Sequence, residues 1–248
     1  MSSKTIVITG ASSGIGARLA ELLAAEGHTL VLVARREPEL HAVAGRCGPL
    51  ALPVVADVTA RTDIQRVVRS ALERFGHIDV WVNNAGRGIT RVPSELTDDD
   101  IDDMMRVNVK SVLYGTQEVL PHFKERGSGH VINVSSMLGR IPLAPFRSAY
   151  NGAKHFVNAL TADFRNELRA THPGIRVSLV SPGVVRTAFG SNALHGGPDS
   201  RTLPNSQSVD EVAAVIARVV ETREADVYTR PDGREMVLKY FSAEEPGA

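Results

Sequence analysis

The chain holds a single cysteine, Cys47, so no intrachain disulfide can staple it, and a reducing compartment suits it. Cytoplasm is the location expected on that ground. Long hydrophobic runs are missing as well. Lys4 precedes only the short apolar stretch 5–9 before Gly10, too brief for the core of a secretory signal, and nowhere do about 18 apolar residues follow one another, as a spanning helix would need. Neither sign of charge is in excess: 28 Lys and Arg balance 28 Asp and Glu, which removes the global field that holds a protein on nucleic acid or on an anionic membrane. There is no repeat, no low-complexity tract and no closely spaced His, Cys, Asp or Glu set of the metal-binding kind. The carboxylates of TDDDID, 97–102, fit better as the cap and favourable charge of a helix start. These absences leave a chain whose partners are small molecules, with no catalytic metal expected.

What is present suffices for one sizeable core: 248 residues with 43% hydrophobic content, read as a single domain over 1–248. Short β-rich runs recur at 5–9, 29–34, 50–56, 78–83, 130–135 and 176–181, with stretches of helical periodicity such as 15–25 and 64–75 between them. That alternation predicts an α/β fold, a doubly wound parallel sheet covered by helices on both faces. Residues 97–126 read as one or two helices, and 148–171 as a long helix stopped by His172-Pro173-Gly174. From 184 to 206, Gly190, Gly196, Gly197, Pro198 and Pro204 break every periodicity, the mark of a functional lid over a substrate. A helix at 209–222 and a last strand at 225–229 follow, and the tail from about 230 to 248 reads as irregular.

TGASSGIG, 9–16, follows the first strand directly and opens a helix. Glycine lets the chain turn tightly and lets its amides approach a pyrophosphate, whose charge is favoured at a helix N-terminus. Gly10, Ser12, Ser13, Gly14, Ile15 and Gly16 are therefore the candidate dinucleotide cradle, with a longer loop than GxGxxG. Nineteen residues beyond Gly16, where an NAD site usually carries an acid for the ribose hydroxyls, stand Arg35 and Arg36. Arginine there can pair with a 2′-phosphate, so NADP(H) is the expected cofactor and NAD(H) the second choice; Glu37 is the residue that could still serve a free ribose.

In SAYNGAKHF, 148–156, Tyr150 and Lys154 are four apart and share a helix face. A phenol with a reference pKa of about 10 is a sluggish proton donor, and an adjacent ammonium is expected to lower that value. The pair suits proton exchange with an alcohol or carbonyl oxygen.

Together, TGASSGIG, Asn83-Asn84-Ala85-Gly86, Asn108, Ser135-Ser136, YNGAK at 150–154 and SPGVVRT at 181–187 resemble, in order, the short-chain dehydrogenase/reductase family over roughly 4–187. The resemblance implies Tyr150 as general acid in carbonyl reduction and base in alcohol oxidation, and Lys154 as its pKa-lowering partner and a ligand of the nicotinamide ribose. It implies Ser136 as the serine that orients the substrate oxygen, with Ser135 the weaker candidate, although the spacing from Ser136 to Tyr150 is one residue longer than the family commonly shows. Asn108 would interrupt the fourth helix and hold a water in a proton relay. Asp57 and Val58 would meet the adenine, and Asn84, Ala85 and Gly86 the adenine ribose. Pro182, Gly183, Val185 and Thr187 would meet the nicotinamide. On residues alone, Asp57 could equally be a turn former and NNAG a strand-ending turn.

The resulting expectation is an NADP(H)-dependent oxidoreductase moving hydride between the nicotinamide and a carbonyl or secondary alcohol. The alternatives are a nucleotide-sensing protein without turnover, or an epimerase or C=C reductase on the same fold. Substrate choice is expected to lie in 137–147 and 184–206, where Met137, Leu138, Ile141, Leu143 and Phe146 suggest a pocket for a hydrophobic ketone or a piece of core. His155 and His195 read as structural or solvated. The carboxyl end lacks the family's usual interface strand, which puts a tetramer in doubt and leaves a homodimer through the long helical segments beside a monomer.

Overall fold

The computed structural model describes residues 3–244. Seven strands, β1 (Thr5–Thr9), β2 (Thr29–Ala34), β3 (Ala51–Val55), β4 (Val80–Asn83), β5 (Gly129–Val134), β6 (Ile175–Ser181) and β7 (Asp226–Tyr228), form one sheet ordered β3-β2-β1-β4-β5-β6-β7. Every neighbouring pair is parallel. The helices are α1 (Gly14–Ala25), α2 (Glu37–Cys47), α3 (Arg61–Phe75), α4 (Asp98–Met105), α5 (Ser111–Arg126), α6 (Ser148–Thr171), α7 (Val209–Thr222) and α8 (Gly233–Ser242). None among the described residues is long and apolar enough to cross a membrane.

Strand side chains alternate between faces, so each strand feeds two cores. Ile6, Ile8, Leu30, Leu32, Val80, Val82 and Ile132 pack with Leu19, Leu23, Leu40, Val212 and Ile216 of α1, α2 and α7. Val7, Val31, Val33, Trp81 and Val131 pack on the other face with Ile64, Val67, Phe123, Phe164 and Leu168 of α3, α5 and α6. The doubly wound parallel sheet expected from the alternation of runs is the fold observed. A polar thread crosses the second core: Trp81 Nε1 donates to Asn83 Oδ1 at 2.8 Å, Asn83 Nδ2 to Asn133 Oδ1 at 2.8 Å, and Asn133 Nδ2 to Thr161 Oγ1 at 2.9 Å. It ties β4, β5 and α6 in register beneath the site.

The segment 97–126 is two helices joined by a π-helical turn, Arg106–Lys110. At its start, Thr97 and Asp100 form a reciprocal capping box, the role expected of the acidic cluster. The tail departs from expectation, since 233–242 form α8 where irregular chain was anticipated. None of its apolar side chains is fully buried, and Leu238 and Phe241 stay exposed. Residues 245–248 of that tail lie outside the described residues. Residues 184–206 contain no helix or strand and are pinned by single bridges, Val185 to Gln207 and Leu194 to Ile89.

Candidate active site

Strand order reverses between β1 and β4, and a crevice opens at their carboxyl ends, where ligands of such sheets bind. The loop after β1 enters it with Gly10 and Gly14 at φ of 69° and 55°, the left-handed region that favours glycine. Gly16 is required for closeness, because a Cβ there would lie 2.4 Å from the Gly10 carbonyl oxygen and 2.6 Å from Asn84 Nδ2. Asn84 braces the loop from β4: its Nδ2 donates to the Thr9 carbonyl at 2.9 Å, and the backbone N–H groups of Asn84 and Ala85 both donate to Thr9 Oγ1. Thr9 is a support that sequence reading did not single out. Thr187 leans over the same loop, its Cγ2 3.3 Å from where a Gly14 Cβ would stand. Thus 9–16, 84–86 and 181–187 meet around one crevice. Pro182 accepts from Met137 N at 2.8 Å, Gly183 is pressed against the Arg230 side chain, and Val185 is buried.

Above the glycine-rich loop, Arg36 NH2 donates to Ser13 Oγ at 2.7 Å and Ser12 Oγ at 3.1 Å, so its guanidinium overhangs that loop. Arg35 is more exposed, with NH1 3.9 Å from Asp57 Oδ2. Asp57 Oδ1 accepts from both Thr59 N and Thr59 Oγ1 at 2.9 Å, so the carboxylate forms a turn with one oxygen while the other faces Arg35. Val58 packs partly buried against the second core.

Beyond β5, α6 presents Tyr150 and Lys154 on one buried face. Ser136 and Ser135 part company here. The Ser135 hydroxyl donates to Asn158 Oδ1 in α6, whereas Ser136 stays on the Tyr150 side and accepts from Leu138 N at 3.1 Å. Between Ser136 and Tyr150 the chain makes a 3-10 turn, Met137–Gly139, and then a loop into α6. Asn108 sits in the π-helical turn, wholly buried, with Oδ1 accepting from Arg87 N at 3.1 Å and Nδ2 donating to Arg87 O at 2.9 Å. Gly86 is pinched between them, since a Cβ there would lie 3.0 Å from Asn108 Oδ1 and 3.8 Å from Lys154 Nζ.

Burial opposes the lowering expected at Tyr150. Burial pushes the Tyr150 phenol up to about 12, against the opposing pull of the Ser136 hydroxyl and the Arg147 guanidinium. Lys154 is itself pushed down to about 8 by burial, and its Nζ donates to the Val134 carbonyl at 2.9 Å, 5.7 Å from the Tyr150 ring centroid. Spacing placed the two side chains on one face but could not weigh desolvation, which works on both groups against charge.

Segments 137–147 and 184–206, where substrate choice was expected, contain three side chains whose contacts the sequence did not give. Phe189, from the segment 184–206, stands edge-on to Tyr150 with centroids 5.6 Å apart. His195, read as structural or solvated and without a partner, has one: Nε2 lies 2.6 Å from Asp100 Oδ1, and Arg91 NH1 reaches Asp100 Oδ2 at 3.3 Å. Arg147, which caps α6 three positions ahead of Tyr150, could have been found by that spacing. The apolar set proposed as a pocket divides: Met137 and Ile141 are buried in the protein while Leu143 and Phe146 are exposed. His155 is bonded to its own helix through the Asn151 carbonyl.

A family model described as short chain dehydrogenase matches residues 4–196. An uncharacterised oxidoreductase of Staphylococcus epidermidis is 32% identical over 228 residues, 92% of this chain and 97% of the relative, and one of Staphylococcus saprophyticus is 38% identical over 74% of this chain and 75% of its own. Among solved structures, a short chain dehydrogenase/reductase from Burkholderia phymatum in complex with NAD superposes with a TM-score of 0.89 at 26% identity, covering 96% and 93% of the two chains. An alcohol dehydrogenase from the archaeon Thermococcus sibiricus, complexed with 5-hydroxy-NADP, gives 0.79 at 29% identity, covering 92% and 94%. With motifs, sheet order and crevice all in accord, the chain belongs to the short-chain dehydrogenase/reductase family of oxidoreductases.

Proposed function

We propose that the protein is an NADP(H)-dependent carbonyl reductase, with Tyr150 as the proton donor. The observation that carries this reading is the grouping of Tyr150, Ser136 and Lys154 beside a glycine loop overhung by a cation rather than an acid. NADPH would supply the hydride. The residues present fit it: the Gly10–Gly16 turn leaves backbone room at a helix N-terminus, Arg36 with Ser12 and Ser13 offers donors for a 2′-phosphate, and Lys154 and Asn108 flank Gly86 deeper in the crevice.

Ser136 would hold the substrate oxygen by donating its hydroxyl proton, and Tyr150 would give its own proton to that oxygen as negative charge develops there. A phenol pushed up to about 12 keeps its proton at neutral pH but is a weaker acid than a free phenol, so Tyr150 would release that proton only as negative charge gathers on the substrate oxygen. Segment 184–206 serves as the cover, its Phe189 against the Tyr150 ring excluding water from the proton path. Asp57, Val58 and 84–86 take the adenosine half, and Pro182, Gly183, Val185 and Thr187 the nicotinamide half.

The test is a panel of ketones and aldehydes followed by loss of reduced-nicotinamide absorbance with NADPH and NADH, for wild type and Tyr150→Phe. Turnover with NADPH that falls on the order of 10²-fold or more in the variant, while nucleotide binding persists, is expected. Tight nucleotide binding with no turnover across the panel would favour a sensor instead.

A further inference from the structure

We propose that Arg147 is a substrate-specificity residue: it seats a carboxylate on the carbonyl substrate, so that the preferred substrates are oxo acids rather than neutral ketones. This rests on the carbonyl-reductase reading of the same site and names the substrate class. Arg147 caps α6 three positions ahead of Tyr150, and both it and Lys154 stand near the phenol, Lys154 from within the helix and Arg147 from its N-terminus. Lys154 takes the side toward Gly86, while Arg147 takes the side toward 88–90 and the cover segment.

Its environment is unusual for a guanidinium. Arg147 is 7% exposed, yet makes no ion pair with any carboxylate among the described residues. The neighbouring cations do: Arg87 is paired with Asp103, and Arg91 with Asp100. NH1 donates to the Ile89 carbonyl and to Thr90 Oγ1, both at 3.1 Å, and the guanidinium carbon lies 5.4 Å from the Phe146 ring centroid. Two neutral acceptors on one nitrogen only partly offset the cost of burying the charge, and Nε and NH2 have no hydrogen-bond partner among the described residues, the pair of donors a bidentate anion would take. Glycines keep space around it, since a Cβ at Gly88 would come within 3.1 Å of NH1 and one at Gly197 within 3.3 Å of NH2. Phe189 lies in the same corner, 3.0 Å from the position of a Gly88 Cβ and edge-on to Tyr150, so the seat adjoins the reacting oxygen's donor. The Arg147 charge also reaches Tyr150, pulling its phenol downward against burial.

The probes are benzoylformate and 3-benzoylpropionate, each titrated by calorimetry against its methyl ester, with and without NADP⁺. In wild type, at least one acid should bind on the order of tenfold or more tighter than its ester. Arg147→Met should erase that ratio and Arg147→Lys should restore part of it, with circular dichroism confirming that both fold. A purely structural arginine, tying 89–90 to α6, would leave the acid-to-ester ratio unmoved in every variant that folds. Equal binding of acids and esters by wild type, or a ratio that survives Arg147→Met, overturns the proposal. Because binding is read without turnover, an intact preference with no hydride transfer would count against the reductase reading and leave the carboxylate seat standing.

Discussion

Tyr150 shows how far a residue-scale reading can go. The four-residue step to Lys154 placed both on one face, but the sign of the phenol's shift is set by burial, with Phe189 from a distant segment packed against the ring, which no local spacing encodes. Likewise the choice between Ser135 and Ser136 is made by Asn158, over twenty residues away, which engages the first hydroxyl. Ser136→Ala removes a donor for the developing oxyanion and should lower kcat about 10²-fold with little change in nucleotide affinity, read from steady-state kinetics beside a nucleotide titration. At the other end of the crevice, Arg36→Ala should weaken NADPH about tenfold or more and leave NADH nearly unchanged, by fluorescence titration. A parallel loss for both nucleotides would mean that Arg36 merely buttresses Ser12 and Ser13.

Among elements, those with strong period were legible: the buried strands, α1, α3, α6 and α7 lie where their apolar patterns put them. α8 was not, because a ten-residue helix with Leu238 and Phe241 exposed carries no stripe that faces a core. The π-helical turn at Asn108 was anticipated only through the family likeness, since a one-residue insertion in a helix leaves no clear periodic trace. Packing between elements gives a sharp prediction at α5. A Cβ on Gly115 would fall 2.3 Å from Asn83 Oδ1 and 2.5 Å from Trp81 Nε1, so Gly115→Ala must push α5 off β4 or break the Trp81–Asn83 bond. It should destabilise by about 1–3 kcal/mol, measured by denaturant unfolding. For the cover segment, His195→Ala removes the contact to Asp100 and should speed amide hydrogen exchange near 188–197 while exchange in β1 and β4 is unchanged. Unaltered exchange in that segment would show that the Leu194 bridge alone holds it.

Across the whole molecule, stability should fall on the acid side of neutrality, and one buried group sets much of that slope. His130, in the middle of the sheet, is fully buried and its imidazole is pushed down to about 3 by burial. Ser178 Oγ donates to the Glu224 carbonyl, so the 2.8 Å contact to His130 is an Nε2–H donating to Ser178, and Nδ1 has no partner among the described residues. The unfolded chain takes up a proton near the ordinary value of 6.5 and the folded one does not, so stability is lost as pH drops from 6.5 toward 3. At pH 5 the loss is about 2 kcal/mol, taking about 1.4 kcal/mol per unit. His130→Leu should flatten this limb when melting temperature is followed from pH 8 to 5; an unchanged slope would assign the acid lability to His28 and His122, whose imidazoles burial also pushes down.

The central claim is that Tyr150 completes a hydride transfer from NADPH to a carbonyl carbon, and isotope tracing tests it most directly. With NADPH deuterated at C4 of the nicotinamide and a ketone drawn from the responsive panel, wild type should place deuterium on the carbinol carbon, seen by mass spectrometry, and Tyr150→Phe should form that product far more slowly. An alcohol product without the label, or labelled product formed as fast by Tyr150→Phe, would contradict it.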